Sequence, residues 1–125
     1  MPTEPVVPSI SSIEAVRTLG QIALPMWPEI IGVSHDSGAD DRYQVVMRLD
    51  AAQRDEFLSR FPVGPSPSSI PRSMSVIAGP ALESAPNPLY LQNTVASTDG
   101  RYVREIVVDE RGPDAVYVHI AVYTT

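Results

Sequence analysis

The sequence predicts an α+β domain: a four-stranded antiparallel sheet built from two hairpins, packed against one or two short helices, with a long Pro-rich loop between the halves. Three observations carry this expectation. The runs RYQVVMRLD (Arg42 to Asp50) and AVYVHIAVYT (Ala115 to Thr124) alternate apolar and polar residues with the period of half-buried strands. Each follows a shorter strand-like run and a turn rich in Asp and Gly, which is the signature of a hairpin. Two further segments begin with helix-capping residues, so helices and strands are segregated along the chain rather than alternating one for one.

Taken in order, residues 1–10 (MPTEPVVPSI) read as a flexible N-terminal arm, and residues 11–125 as one domain. Ser11 and Glu14 have capping-box spacing, and Ile13, Val16 and Leu19 form a weak apolar stripe that Gly20 ends. A helix of about two turns needs packing to exist. Pro25 and Pro28 flank Met26 and Trp27, which predicts an extended segment there. The single Trp reads first as a core or rim plug closing one end of the domain, and second as an exposed aromatic anchor for a partner. Glu29 to His35 is a strand, residues 36–41 a turn, and Arg42 to Asp50 the returning strand, with Tyr43, Val45, Met47 and Leu49 on one face. Asp50 then caps a helix from Ala51 to about Arg60, Gln53 completes the capping box, and Pro62 stops it. Its apolar face is Phe57, Leu58 and Phe61.

Residues 62–88 contain seven Pro, six Ser and only two charged residues, Arg72 and Glu83. Such a long connection is uncommon in a compact domain. It reads as disordered or as a wrapped loop that binds something, with Met74 to Ala78 as a short strand or anchoring segment. Tyr90 to Val95 re-enters the fold. Arg101 to Val108 is a strand, residues 109–114 a turn, and Ala115 to Thr124 the last strand. On that strand Val116, Val118, Ile120 and Val122 take one face; Tyr117, His119, Ala121 and Tyr123 take the other. The helices cover one face of the sheet, and the second is open, as antiparallel sheets allow.

Composition removes several classes of function. There is no Cys, hence no disulfide, thiol nucleophile or thiolate metal site. The net charge is -6 and no basic cluster exists, which argues against a nucleic-acid partner and for a basic protein partner or a solvated surface. All nine basic residues are Arg, which reads as the codon preference of a GC-rich genome. No apolar stretch is long enough for membrane insertion. The N-terminus lacks a signal-peptide pattern, so the chain as given reads as cytoplasmic; its Pro/Thr/Ser-rich opening also suits the stub left by a removed export or lipid-anchoring signal, which would make it extracytoplasmic.

No catalytic motif stands out. His35 and His119 lack metal-ligand spacing, and a metal site would require them to meet near Asp36 or Asp40. The carboxylates Asp36, Asp40 and Asp41, and again Asp109, Glu110 and Asp114, fall in the two turns, where Asp and Glu serve backbone bonding and solvation. The first group lacks the ordered spacing of a calcium loop. His35, Asp36 and Ser37 are chain neighbours whose side chains point apart, so they do not make a triad. No serine sits in G-x-S-x-G and no phosphate-cradling loop is present. No catalytic residue, metal or cofactor is therefore assigned. What remains is a binding surface: Tyr117, His119 and Tyr123 on the second sheet face, joined by Tyr43 or Tyr102 from neighbouring strands, with Trp27 and the Pro-rich loop beside them. Aromatics with polar tips are common in interface cores. The plain alternative is that the loop or the helices cover this face.

The stretches RYQVVMRLDAAQRDEFLSRF and REIVVDERGPDAVYVHIAVYTT resemble a group of small actinobacterial proteins, secreted or lipid-anchored, without a settled function. The shared features are Leu49-Asp50 ending a strand, Asp55 to Leu58 in the following helix, and the closing Tyr123-Thr124-Thr125. The resemblance covers about a third of the chain, is structural, and implies an extracytoplasmic domain without assigning a catalytic residue. The expectation is a protein–protein interaction domain of inhibitor or immunity type, with a basic protein partner and a homodimer compatible with its size. The alternative is a small-molecule-binding or small enzyme domain with a pocket between sheet and loop. A structural or assembly component is a third reading.

Overall fold

The structure, a computed structural model, describes residues 11–37, 41–68, 76–97 and 100–124. The N-terminal arm, Asp40, Arg72, Met74 and Thr125 lie outside the described residues. Helix α1 is Ser12–Thr18 and helix α2 is Ala51–Leu58. The strands are β1 (Glu29–Ser37), β2 (Asp41–Leu49), β3 (Ser66–Pro67), β4 (Leu89–Ser97), β5 (Gly100–Gly112) and β6 (Ala115–Thr124). They form one antiparallel sheet in the order β1-β2-β6-β5-β4-β3.

The expected four-stranded sheet is therefore corrected to six strands. The missed strands are β4 and β3. In β4, Leu89, Leu91 and Val95 face the helices and alternate with Tyr90, Gln92 and Thr94, but Pro86 and Pro88 just before them disguise where the strand begins. β3 is two residues long and contains Pro67, which an edge position tolerates because one side of the strand needs no ladder partner. The second turn is also shorter than expected. β5 runs on through Asp109 and Glu110, with a register shift before Gly112, so only Pro113 and Asp114 turn the chain. The longer strand carries Asp109 inside the sheet, opposite Tyr117 and fully buried, instead of in a solvated turn.

Local signals set both helices. The Ser11 hydroxyl accepts the Glu14 amide at 3.1 Å, and the Ser12 hydroxyl ties α1 to the Ser34 carbonyl at 2.8 Å. Asp50 and Gln53 make the full capping box of α2, at 2.8 and 2.9 Å. Both helices pack on the same sheet face, with Val16, Ile22 and Phe57 against Val45, Met47, Ile106, Val118 and Ile120. Gly20 lets the end of α1 approach the sheet: a Cβ there would stand 2.6 Å from Val122 Cγ2 and 2.8 Å from the Val16 carbonyl. Arg104 reaches across this face from β5. It donates to the Gly20 carbonyl at 3.0 Å and lies over the Phe61 ring at 5.3 Å.

The second sheet face is closed over its centre by residues 76–85, a strap drawn from the Pro-rich excursion and stiffened by a 3₁₀ turn at Leu82–Ser84. Leu82 packs on Val107 and Ala121. The strap approaches β1 so closely that a Cβ on Gly32 would stand 2.7 Å from Ala78 Cβ. Gly32→Ala should therefore lower the unfolding free energy by about 1–3 kcal/mol through overpacking. Adding Ala78→Gly in the same chain should recover most of that loss in urea unfolding. Simple additivity of the two losses would mean that the residues do not touch.

Candidate functional site

The sequence-derived surface residues do not form one patch. Tyr117, His119 and Tyr123 do share the second sheet face, as their alternation along β6 requires. Tyr43 does not join them. It pairs with Val122 in the ladder and so points to the helix face, buried, with the His35 ring stacked on it at 4.1 Å. Tyr102 pairs with Thr124 and points the same way. The reason is register: neighbours across an antiparallel ladder share a face, and an odd–even offset of one residue decides which.

The strap divides the second face. Under it, His119 is 1% exposed and Asp109 is fully buried. Arg111 donates from Nε to Asp109 Oδ2 at 2.9 Å, and from Nη2 to the Ala81 carbonyl at 3.1 Å and the Ser84 hydroxyl at 2.8 Å. Burial lowers the pKa of His119; Asp109 acts in the opposite direction and Arg111 with burial. Toward the other end of β6, the buried Glu105 carboxylate accepts the Tyr90 hydroxyl. It also stands 3.9 Å from the Arg42 guanidinium, which lies over the Tyr123 ring at 4.6 Å. Burial, then Glu105, pushes the hydroxyls of Tyr90 and Tyr123 up. Sequence reading missed Glu105 and Asp109. Their signal was present: both share the period-two face of Val103 and Val107 in β5, whose apolar residues mark that face as covered.

Trp27 lies elsewhere. It is 87% exposed and Met26 is 68% exposed, so the expectation of a core or rim plug is overturned. Nor is the segment extended. Trp27 has φ 55°, a left-handed backbone uncommon for a bulky residue. The cause is Gln53. Its Nε2 donates to both the Met26 and the Trp27 carbonyl at 2.9 Å, while Glu56 accepts the Met26 amide at 3.3 Å. The same Gln53 side chain closes the capping box of α2, so the turn that presents the indole is fastened to a helix terminus. Beside it opens a cleft of about 260 Å³ lined by Trp27, Glu29, Arg48, Leu49, Asp50, Gln53 and Asp114. Arg48 donates from Nε to the Asp114 carbonyl at 3.1 Å, and Asp50 is engaged in capping. Three carboxylates against one guanidinium make the cleft electronegative.

His35 Nε2 stands 3.1 Å from Asp41 Oδ1 at the far end of the first hairpin, and His119 is under the strap, so the two histidines do not meet. Among the described residues, no three His, Asp or Glu side chains converge as metal ligands, and no helix is long and apolar enough to cross a membrane. No family model, curated protein or solved structure matches the chain.

Proposed function

We propose that this chain is a protein-binding module that holds its partner through Met26 and Trp27, with the adjoining cleft receiving a basic side chain. The observation that supports the reading is the display of the chain's single Trp, 87% exposed, on a turn fixed by two side-chain hydrogen bonds. An indole pre-ordered in this way loses little freedom on docking, and Trp is the residue type most enriched among interface anchors. A guanidinium or ammonium entering beside it would meet Glu29 and Asp114 next to the indole, where a cation–π contact adds to the attraction. The net charge of -6 favours encounter with a basic partner. The surface thus moves from the aromatic sheet face to the start of β1, because the strap already occupies the middle of that face.

The test is affinity capture from lysate and culture medium with three baits: the native chain, Trp27→Ala, and Tyr117→Ala/Tyr123→Ala. A stoichiometric partner should be retained by the native chain and the tyrosine variant. Trp27→Ala should weaken it by at least about 2 kcal/mol, roughly thirtyfold in Kd. Thermal unfolding of Trp27→Ala should stay within about 0.5 kcal/mol of the native value, since the indole packs on little. Partner loss in the tyrosine variant alone would sink this reading and restore the sheet face.

A further inference from the structure

Four buried polar side-chain atoms have no hydrogen-bond partner in the protein among the described residues: Glu105 Oε1, Asp109 Oδ1 and both ring nitrogens of His119. Native interiors satisfy nearly all such groups, so a concentration of exceptions asks for an explanation. All four lie on the strapped face. His119 stands opposite Val107 of β5 and Val46 of β2, and Asp109–Tyr117 is the next pair on the same face, two ladder positions along. The charged and titratable groups around it are few. On β5 they are Glu105, Asp109 and Arg111; on β6, Tyr117 and Tyr123; on β2, Arg42 and Arg48; on β4, Tyr90; the strap contributes only Glu83, which is exposed.

Asp109 has two jobs available and performs one. Its Oδ2 orients the Arg111 guanidinium, and that guanidinium is the clip holding the strap at Ala81 and Ser84. Its Oδ1 is idle. We propose that the 76–85 strap, clipped to the sheet by Arg111, is an acid-released cover: the buried imidazole of His119 gains its proton when the strap lifts and water reaches the ring, so acid favours the open form. A neutral imidazole carries one N–H, and a protonated one carries two and a charge. Beneath the strap Asp109 Oδ1 has no hydrogen-bond partner and Glu105 Oε1 stands 3.9 Å from Arg42, whereas a ring opened to water is solvated at both N–H groups.

The direction of the effect follows from burial. With the strap closed, burial holds the His119 pKa below its ordinary value. With the strap open, the imidazole is hydrated and titrates near about 6.5. The closed form is therefore fully favoured above that pH and loses ground as pH falls below it. The opening constant rises roughly tenfold per pH unit for as long as the closed form stays unprotonated.

Hydrogen exchange read by mass spectrometry at pH 7.5 and 5.5, corrected for intrinsic rates, tests this. Peptides within 76–85 should exchange through an opening much easier than that of β2, β5 and β6, and should lose protection about tenfold at the lower pH. His119→Leu should hold the strap closed at both pH values, and Arg111→Gln should open it at both. If circular dichroism shows that His119→Leu does not fold, His119→Gln is the non-titrating substitute. Strap protection unchanged with pH in the native chain would overturn the proposal. So would an equal loss in the non-titrating variant, or strap peptides as strongly protected as those of β2, β5 and β6 at both pH values, which would mean that the strap opens only when the sheet unfolds.

Discussion

Phe57→Ala should lower the unfolding free energy by about 3–5 kcal/mol, the range for removing a buried aromatic ring and leaving a cavity. The expectation is at the upper end for a physical reason. Phe57 is the only fully buried residue of α2 and its main anchor to the sheet, with Leu58 packed at the edge of the same core. It also packs edge-to-face on Phe61 at 5.2 Å, and Phe61 in turn supports Arg104, which holds the end of α1. Helix α2 is eight residues long and does not persist without packing. Urea unfolding followed by far-ultraviolet circular dichroism measures the loss. A value below about 1 kcal/mol would mean that α2 is not docked by this ring.

The second large effect has the opposite sign. His119→Leu should raise stability at pH 7.5 by about 1–3 kcal/mol, because it removes two buried ring nitrogens that lack partners and keeps an apolar side chain of similar size between Val46 and Val107. The gain should widen with acid. Burial depresses the native-state pKa of His119, so protons bind the unfolded chain more readily, and native stability falls as pH drops through the ordinary histidine range. The variant lacks that slope. Thermal unfolding of both forms between pH 7.5 and 5.5 makes the comparison. A variant less stable than the native chain at pH 7.5 would show that the imidazole is satisfied after all.

The sequence made most of the local structure legible and little of the site. Both helix caps, α2 with Phe57, and the alternation in β2 and β6 were readable because each depends on residues a few positions apart. The helix-facing set Val45, Met47, Val118 and Ile120 follows from period two alone. Register was not readable. Whether Tyr43 faces with Val122 or with Tyr123 depends on how two distant strands align, and one residue of slip reverses it. Trp27 was misplaced for a similar reason. Local proline chemistry favours an extended segment, but a side chain on α2, Gln53, captures both carbonyls and bends it. Asp109 was assigned to a turn because Asp-Glu-Arg-Gly-Pro-Asp carries every turn residue, yet Pro113 and Asp114 suffice.

The placing of β6 between β2 and β5 has a kinetic consequence. β1 with β2, and β4 with β5 and β6, are each contiguous hairpin neighbours that close short loops. The seam joining them pairs residues far apart in the chain, such as Arg42 with Tyr123 and Leu49 with Val116. Closing so wide a loop costs entropy before any contact across it is gained. Refolding should then be limited by encounter of the two preformed halves, on the millisecond-to-second scale of sheets dominated by distant pairings. Until they meet, β2 and β6 each expose a bare hydrogen-bonding edge, and that interval is when the chain is most exposed to pairing with another copy of itself.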